Sequence, residues 1–270
     1  MKTTAVAEHE DKSQRAVQSV EVGGRLLLAL AESDSDLGLK ELAARAGMSP
    51  SRAHPYLVSY SRLGLVEQDA ATGRYELGPA ALQIGLACLR RLDPLRAAEP
   101  VLRELQADTG HTVALAVWGN FGPTVVRLIE ARQPLHVAMR VGTVLSVWDT
   151  ATGRAFAAAL AADRLAEGIA GPLGDLAASE ALRDRAAELE QARDELTRHG
   201  TVRSLGRPIP GVNSFSAPVF DQDGAPALVI TATDHQDRLA SAWSGHSARA
   251  VREAAARIST RLGGFAPTSA

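Results

Sequence analysis

The chain has 270 residues, of which 46% are hydrophobic and 22% are charged, and its formal net charge is −2. This length suits two ordinary domains, and the composition is typical of a soluble globular protein. Because the net charge is close to zero, a globally basic surface is excluded, and any contact with nucleic acid must rest on local basic residues.

No stretch of about 18 apolar residues occurs, so the sequence predicts no membrane span and no membrane partner. The single cysteine, Cys88, cannot form an internal disulfide, which fits a reducing compartment. We therefore expect a cytoplasmic protein. The polar residues 1–14 predict a flexible tail.

Residues 15–78 form the first predicted domain. Apolar spacing within it predicts one helix over residues 19–30 and a second over residues 38–47. A third helix begins at Ser49, a natural N-cap that is followed by proline. Two short helices joined by a glycine-containing turn are typical of a helix-turn-helix. Residues 65–77 then predict a β-hairpin, which completes a winged helix.

A linker helix is predicted over residues 79–93, and a second domain over residues 94–266. Its mixture of hairpin strands and flanking helices predicts an α+β fold with a mainly antiparallel sheet. Helices are predicted over residues 94–110, 150–161, 179–200 and 246–264, and strands over residues 112–118, 124–130, 135–141, 201–206, 213–220 and 226–234.

Three stretches carry a specific resemblance to a known family. They are GLKELAARAGMSPSRAHPYLVSYSRLGLVEQDAATGRYELG (38–78), VGTVLSVWDTATGRAFAA (141–158) and GVNSFSAPVFDQDGAPALVITATD (211–234). With them, residues 18–263 resemble the IclR family of bacterial transcriptional regulators. The resemblance implies a winged helix-turn-helix that binds double-stranded operator DNA, a linker helix, and a GAF/profilin-like domain that binds a small, often acidic effector. It also implies a homodimer or homotetramer.

The third helix and the wing supply the predicted DNA contacts. Side chains at the start of a recognition helix reach base edges, and free N–H groups there suit a phosphate. A wing arginine can reach a phosphate beside the minor groove, although ordinary exposed residues remain the alternative. The predicted DNA-binding residues are Ser49, Ser51, Arg52, His54, Tyr56 and Arg74.

Pro55 departs from the family, which usually has arginine at this position. A proline inside a helix costs about 3 kcal/mol and would leave the Ser51 carbonyl without its partner. The helix could kink at Ser51 or begin late, with His54 near its N-cap. We expect weakened or altered DNA binding, unless packing holds the helix and other contacts suffice. An effector-binding protein with lost DNA recognition is therefore the alternative function.

The tetrapeptide Ala-Thr-Gly-Arg at residues 151–154 precedes an alanine-rich run and predicts a helix start. N–H groups at that positive helix end could bind a carboxylate, or Thr150 or Thr152 could simply cap the helix. The resemblance favours the ligand, because the family binds it at the matching position. The effector-binding residues that the resemblance implies are Leu145, Ala151, Thr152, Gly153, Val212, Ser214, Thr231 and Thr233.

Some further residues near this site have two interpretations. Some family members that bind short organic acids carry cysteine where Ser214 stands, which argues against a short keto acid and leaves a small organic or aromatic acid. Trp148 could narrow the pocket or pack in the core. His136 and Arg140 share a strand face, where they could balance a carboxylate or face solvent.

The sequence contains no H-E-x-x-H, no paired cysteines, no G-x-S-x-G and no phosphate-binding loop. We therefore predict no metal, no cofactor and no catalytic residue, and an enzyme is the remote alternative. Cys88 lies in the predicted linker helix, where a small packing role is more common than a reactive one.

Overall fold

The computed structural model describes residues 17–90, 92–131, 133, 139–173 and 175–264. The chain divides into two compact units between residues 91 and 92. The elements of the first unit are α1 (Gln18–Ala31), α2 (Leu39–Arg45), α3 (Pro50–Arg62), β1 (Val66–Gln68), β2 (Tyr75–Leu77) and α4 (Pro79–Arg90).

The elements of the second unit begin with one long helix and a β-hairpin. In chain order they are α5 (Pro94–Thr109), β3 (Thr112–Gly119), β4 (Gly122–Ile129), α6 (Ala151–Ala159), α7 (Ala162–Leu173), α8 (Asp175–Asp184), α9 (Ala186–His199), β5 (Val202–Leu205), β6 (Val212–Phe220), β7 (Pro226–His235) and α10 (His246–Arg261).

The first unit is a winged helix around a small apolar core. Leu26 of α1, Leu42 of α2 and Leu57 of α3 are fully buried and meet there, together with Tyr75 of β2. The strands β1 and β2 pair antiparallel as the wing. Helix-turn-helix and hairpin are therefore both present, as the apolar spacing predicts.

The second unit is built on one five-stranded antiparallel sheet, in the order β4-β3-β7-β6-β5. Helices α5 and α10 pack against each other and against one face of the sheet. Helix α6 packs against the other face and is covered by α9. The predicted α+β fold with a mainly antiparallel sheet is confirmed.

Alternation along β6 and β7 gives the sheet two chemically different faces, because successive strand residues point to opposite sides. Phe215, Ala217 and Val219 of β6 join the core under α5 and α10, as do Leu228 and Ile230 of β7. On the face toward α6 lie four hydroxyl residues, Ser214, Ser216, Thr231 and Thr233, together with the apolar Val229. The hydroxyl residues pair across the two strands, Ser214 with Thr233 and Ser216 with Thr231.

A buried polar cluster joins His111, the residue before β3, to β7 and α10. His111 lies between Asp234 and Ser247, at 2.9 Å from a carboxylate oxygen on one side and 2.9 Å from the hydroxyl on the other. The second carboxylate oxygen of Asp234 accepts from the Arg238 side chain and from the backbone N–H of His235. The cluster therefore joins strands that are distant in sequence.

Two predicted elements differ in the structure. Residues 179–200 do not form one helix, because Arg185 interrupts it; α8 packs on α7, whereas α9 packs on α6. The predicted strand over residues 135–141 lies outside the described residues up to residue 138, and Met139 to Val141 form no strand. Instead, Val144 makes an isolated bridge to Thr124 in β4.

No helix in the described ranges is long and apolar enough to cross a membrane.

We predict that Asp234→Asn destabilises the protein mainly at pH values above the ordinary aspartate pKa. Burial raises the pKa of Asp234, but hydrogen bonds from Arg238, His111 and the His235 N–H outweigh burial and lower it below its usual value. A lowered folded-state pKa means that the carboxylate stabilises the fold above the unfolded pKa, and that this contribution is lost as pH falls through the folded pKa. Removing the buried carboxylate that contacts His111 and Arg238 should reduce the free energy of unfolding by about 3 kcal/mol at neutral pH.

Urea denaturation at neutral pH, and in acid below the ordinary aspartate pKa of about 3.9, measures this effect. The difference in the free energy of unfolding between wild type and Asp234→Asn should be smaller in acid than at neutral pH. Asp237→Asn is the matched control, because the Asp237 side chain is 78% exposed and its ion pair with His235 contributes little. Equal losses for the two variants would contradict the buried role of Asp234.

Candidate functional site

A cavity of about 210 Å³ lies between the start of α6 and the hydroxyl-bearing face of β6 and β7. Seven of the residues that the resemblance implies line it, and they come from four separate parts of the chain. The lining residues are Met139, Thr143, Leu145, Thr150, Ala151, Thr152, Arg207, Pro208, Ile209, Val212, Ser214, Thr231 and Thr233. Of the implied residues, Gly153 is not among them.

Three buried hydroxyl groups form a chain that starts at the cavity lining and ends at Ser216, which lies behind the lining. Thr231 Oγ1 lies 2.7 Å from Thr152 Oγ1 and 2.7 Å from Ser216 Oγ. Two hydrogen bonds use two of the three protons, so one proton remains on one of the three hydroxyl groups. At Ser216, which is fully buried and has no further partner among the described residues, a spare donor would cost about 1–3 kcal/mol. The spare proton therefore belongs to Thr152 or to Thr231, both of which line the cavity.

The second hydroxyl pair is oriented by the backbone. Thr233 Oγ1 donates to the carbonyl of Asn213 at 3.2 Å, and it accepts from Ser214 Oγ at 2.8 Å. The proton of Ser214 is thus used within the protein. Its oxygen lone pairs remain free, because a serine hydroxyl can accept as well as donate.

The start of α6 is capped by its own side chain. Thr150 Oγ1 accepts from the Gly153 N–H at 3.0 Å and donates to the Ser146 carbonyl at 2.7 Å. The expectation that the Gly153 N–H faces a ligand is therefore wrong, since this group is already satisfied. Within the described ranges, the N–H groups of Ala151 and Thr152 have no protein partner, so these two remain available.

Gly153 has a packing role instead. A Cβ atom at this position would lie 2.1 Å from the Ser146 carbonyl oxygen and 2.5 Å from Val147 Cα. Both are backbone atoms that cannot rotate away. Glycine is therefore required for the loop before α6 to fold back against the helix.

The cavity lining also includes Arg207, an exposed residue that sequence reasoning missed. Of the described residues that line the cavity, Arg207 is the only cation and none is acidic. Its loop is held in place by Ser204, whose Oγ lies 2.9 Å from the Arg207 carbonyl oxygen and 2.9 Å from the Asp149 carbonyl oxygen, so that the two carbonyls compete for its single proton. The Gly-Arg-Pro turn at residues 206–208 was the available signal, but only the fold brings it to the cavity.

Other suggested pocket residues have different positions. Trp148 is half-buried and packs with the core between α6 and the sheet, as its core interpretation predicts. Arg140 does not line the cavity. His136 lies outside the described residues.

Helix α6 is anchored by a buried ion pair. Arg154 is 6% exposed, lies 2.9 Å from the Glu195 carboxylate of α9, and also donates to the Arg203 carbonyl in β5. Glu195 in turn accepts from the Arg203 N–H at 3.2 Å. These bonds fix the helix that forms one wall of the cavity.

The predicted recognition helix is α3, which begins at Pro50 and runs unbroken through Pro55. A late start at His54 is therefore wrong. Ser49 occupies the N-cap position with an extended backbone, but its hydroxyl contacts Ser51 Oγ at 3.1 Å rather than a backbone N–H. The helix start therefore keeps its first N–H groups free of a side-chain cap.

The side chains along α3 divide into two groups. Ser51, Arg52, His54 and Pro55 are exposed together on one surface. Tyr56 is half-buried and packs against the core of the unit. The ring of Tyr56 lies where a Cβ at Gly23 of α1 would be placed. Tyr56 therefore packs α3 against α1.

Arg74 contacts acidic and carbonyl groups of its own unit. Its guanidinium donates to the Asp36 carbonyl at 2.6 and 3.0 Å and lies 3.4 Å from the Asp36 carboxylate and 3.7 Å from that of Glu41. The side chain is 40% exposed. In this structure Arg74 therefore attaches the wing to the loop before α2.

Among the residues that the structure describes, no group of three or more His, Cys, Asp or Glu side chains could hold a metal ion. Cys88 is exposed on α4.

We predict that Gly153→Ala lowers the melting temperature and reduces any ligand response, because its methyl group would displace the Ser146–Val147 backbone beside the cavity. Gly85→Ala in α4 is the matched control. No atom lies within 4 Å of a Cβ there, so alanine should raise stability by about 0.5–1 kcal/mol. Thermal unfolding gives the melting temperatures of wild type and both variants. A Gly153→Ala variant as stable as wild type would contradict the packing role of Gly153.

Comparison with known proteins gives consistent matches over nearly the whole chain. The IclR helix-turn-helix model matches residues 19–70, and the model of the bacterial transcriptional regulator IclR C-terminal domain matches residues 86–260. The glycerol operon regulatory protein of Streptomyces griseus is 30% identical, covering 92% of this chain and 98% of the relative. The Escherichia coli transcriptional repressor IclR is 24% identical, covering 92% and 91%.

Among solved structures, Pseudomonas aeruginosa HmgR is similar with a TM-score of 0.80 and 35% identity, covering 92% of this chain and 99% of that one. The cavity described above lies in the part that matches the C-terminal model, and α3 lies in the part that matches the helix-turn-helix model. The chain belongs to the IclR family of bacterial transcriptional regulators.

Proposed function

We propose that this regulator controls a catabolic operon in response to a small carboxylate, which binds in the cavity beside α6. The observation that carries the proposal is the charge and donor pattern of the lining. Arg207 is the cation of the described lining, acidic residues are absent from it, and Thr152 or Thr231 presents a spare proton. The two free N–H groups at the start of α6 add to this positive environment.

The apolar part of the lining limits the ligand to a small molecule with a hydrophobic body. Met139, Leu145, Ile209 and Val212 lie among the hydroxyl residues. Pockets with a mainly apolar wall and a few placed polar groups are typical of small-molecule sites. A small organic or aromatic acid fits this combination better than a sugar or a nucleotide.

Control of a catabolic operon is supported by the relatives. One is named a glycerol operon regulatory protein, and an acetate operon repressor of Salmonella typhimurium is 30% identical over 55% of this chain. Repressor and activator are both compatible with the two sites.

For the DNA-binding unit we propose contacts from Ser49, Ser51, Arg52 and His54, the exposed residues at the start of α3. A symmetric dimer or tetramer would place two such helices on a pseudo-palindromic operator. Such a protein would act in the cytoplasm, where it meets the operator DNA.

A second candidate is an effector-binding protein that has weakened or lost DNA recognition. Pro55 favours it, because this exposed residue stands on the same surface as Arg52 and His54, where the family usually has arginine.

We predict that Arg207→Ala weakens carboxylate binding. Acetate, benzoate and phenylacetate are the probes, with binding to the full chain measured by calorimetry. At least one acid should bind, and loss of the charged partner should weaken it by about tenfold or more.

Two controls accompany this test. Arg140→Ala removes an arginine that does not line the cavity and should leave binding unchanged. The amides of the same acids keep the shape without the charge and should bind poorly. Amides that bind as tightly as the acids would contradict a carboxylate site.

We predict that Pro55→Arg binds DNA more tightly and with a steeper salt dependence. One added phosphate contact should increase the slope of log affinity against log salt by about one. Fluorescence anisotropy on DNA from the intergenic region upstream of the gene measures both quantities.

Pro55→Ala is the matched control, since it restores a helical N–H without adding a charge. It should relieve up to about 3 kcal/mol of helix cost while leaving the salt slope unchanged. Equal slopes for wild type and Pro55→Arg would contradict the phosphate contact. Binding by Pro55→Arg alone would favour the second candidate.

A further inference from the structure

We propose that this regulator has a second, chemical activity, in which Ser247 is a nucleophile that takes the acyl group of a small activated ester and releases it to water. The site lies at the start of α10, on the side of the sheet that α5 and α10 cover, away from the cavity beside α6. It goes beyond the proposed function and is independent of it, so either can fail while the other stands.

Three side chains that are distant in sequence form one hydrogen-bonded line. Asp234 Oδ2 lies 2.9 Å from His111 Nδ1, and His111 Nε2 lies 2.9 Å from Ser247 Oγ. A carboxylate, an imidazole and a hydroxyl in this order are the geometry by which an activated serine is recognised, whatever the fold or the chain order. No sequence motif signals the arrangement, because its members stand before β3, near the end of β7 and at the start of α10.

Asp234 fixes which ring nitrogen of His111 carries the proton. Burial raises the pKa of Asp234, but hydrogen bonds from Arg238, His111 and the His235 N–H lower it overall, so that the carboxyl group is ionised at neutral pH and can only accept. The Nδ1 atom of neutral His111 therefore donates to Asp234. The Nε2 atom is left as a base that accepts the proton of Ser247.

The base is shielded from water, whereas the nucleophile can be reached. His111 is 6% exposed and Asp234 is 1% exposed, but Ser247 is only half-buried. Among the residues that the structure describes, the Ser247 hydroxyl has no partner other than His111. Its proton is therefore directed to the base, and its oxygen remains accessible to a substrate.

The position of Ser247 in α10 also supplies donors for the charge that develops on an ester carbonyl oxygen. Ser247 is the second residue of this 16-residue helix. The N–H groups of Ser247 and Ala248 have no acceptor in the described part of the chain, and they lie at the positive end of the helix. The N–H groups of a nucleophile and of the residue after it can stabilise such an oxyanion.

A groove of about 310 Å³ between α5 and α10 gives room for a small substrate. Asp108 and His246 line one end of the groove, with 3.0 Å between their side chains, and His246 directly precedes Ser247. Val101 and Leu105 contribute apolar surface to the same groove. Its size limits both the acyl group and the leaving group to small ones.

The reaction is a double displacement that consumes only the ester and water. Ser247 Oγ attacks the carbonyl carbon while its proton passes to His111 Nε2. The bond from that carbon to the leaving oxygen then breaks, and the imidazolium returns the proton to the departing oxygen. A water molecule attacks the acyl-serine in the same way, which releases the carboxylic acid and restores the hydroxyl.

Labelling of the full wild-type chain with phenylmethanesulfonyl fluoride, followed by peptide mass spectrometry, tests the nucleophile. An activated serine displaces fluoride from this reagent and keeps the sulfonyl group. We expect the adduct on Ser247, and we expect it to be lost when the chain is unfolded in urea. Ser244 is exposed nearby and its hydroxyl has no partner among the described residues, so it should stay unlabelled. No adduct on Ser247, or equal labelling of Ser244, would overturn the proposal.

Hydrolysis of p-nitrophenyl acetate tests turnover. Wild type should react about a hundredfold or more faster than Ser247→Ala, because the base then has no nucleophile to activate. Ser244→Ala is the matched control and should equal wild type. Equal rates for wild type and Ser247→Ala would show that the contact with His111 is only structural. The labelling uses wild type, so it decides the question even where Ser247→Ala does not fold.

Asp234 is a positioning residue in this proposal, and its role is tested separately. The Asn side chain of Asp234→Asn can donate to Nδ1 and so hold the other tautomer of His111. Where circular dichroism shows the variant to be folded, kcat should fall about a hundredfold or more with little change in KM. An unchanged kcat in the folded variant would assign Asp234 to stability alone and contradict the proton direction proposed for His111.

Discussion

The pairing of β6 with β7 is the constraint on which the second unit depends. Its register sets Ser214 opposite Thr233 and Ser216 opposite Thr231. Because side chains alternate along a strand, one register places the apolar residues under α5 and α10 and the hydroxyl residues under α6. A slip by one residue would bury the hydroxyls in the main core and place Phe215 in the cavity. Fold stability and ligand chemistry thus depend on the same register.

The wall opposite these strands is held with comparable firmness. Thr150 caps α6, the absence of a side chain at Gly153 lets the preceding loop pack closely, and Arg154 pairs with Glu195 in a buried position. Within this short stretch Thr150 caps the helix, Gly153 allows close packing and Arg154 anchors the helix to α9. Only part of the family motif faces the cavity, and the remainder supports it.

The DNA-binding unit shows how the surroundings of a residue decide its role. Arg74 belongs to a wing that a motif assigns to DNA, but Asp36 and Glu41 lie within reach of its guanidinium. At Pro55 the surroundings override the local preference. Proline disfavours a helix interior, yet α3 continues through this residue. Packing of buried Ala53 and Leu57 on either side of Pro55 contributes to holding the helix, since most helical stability in proteins comes from tertiary contacts.

The sequence by itself determined the family and the order of most elements. Those features follow from local patterns, namely apolar spacing, turn residues and strand alternation, and the structure confirms the fold class. The sequence did not determine the interruption at Arg185, the ion pairs of Arg74 or the position of Arg207 in the cavity lining. The ion pairs of Arg74 and the arrival of Arg207 at the cavity depend on contacts between residues that are distant in sequence, and no local pattern encodes such contacts. The direction of the Ser214 hydrogen bond is likewise a tertiary property, because it depends on a carbonyl that only the paired strands bring within reach.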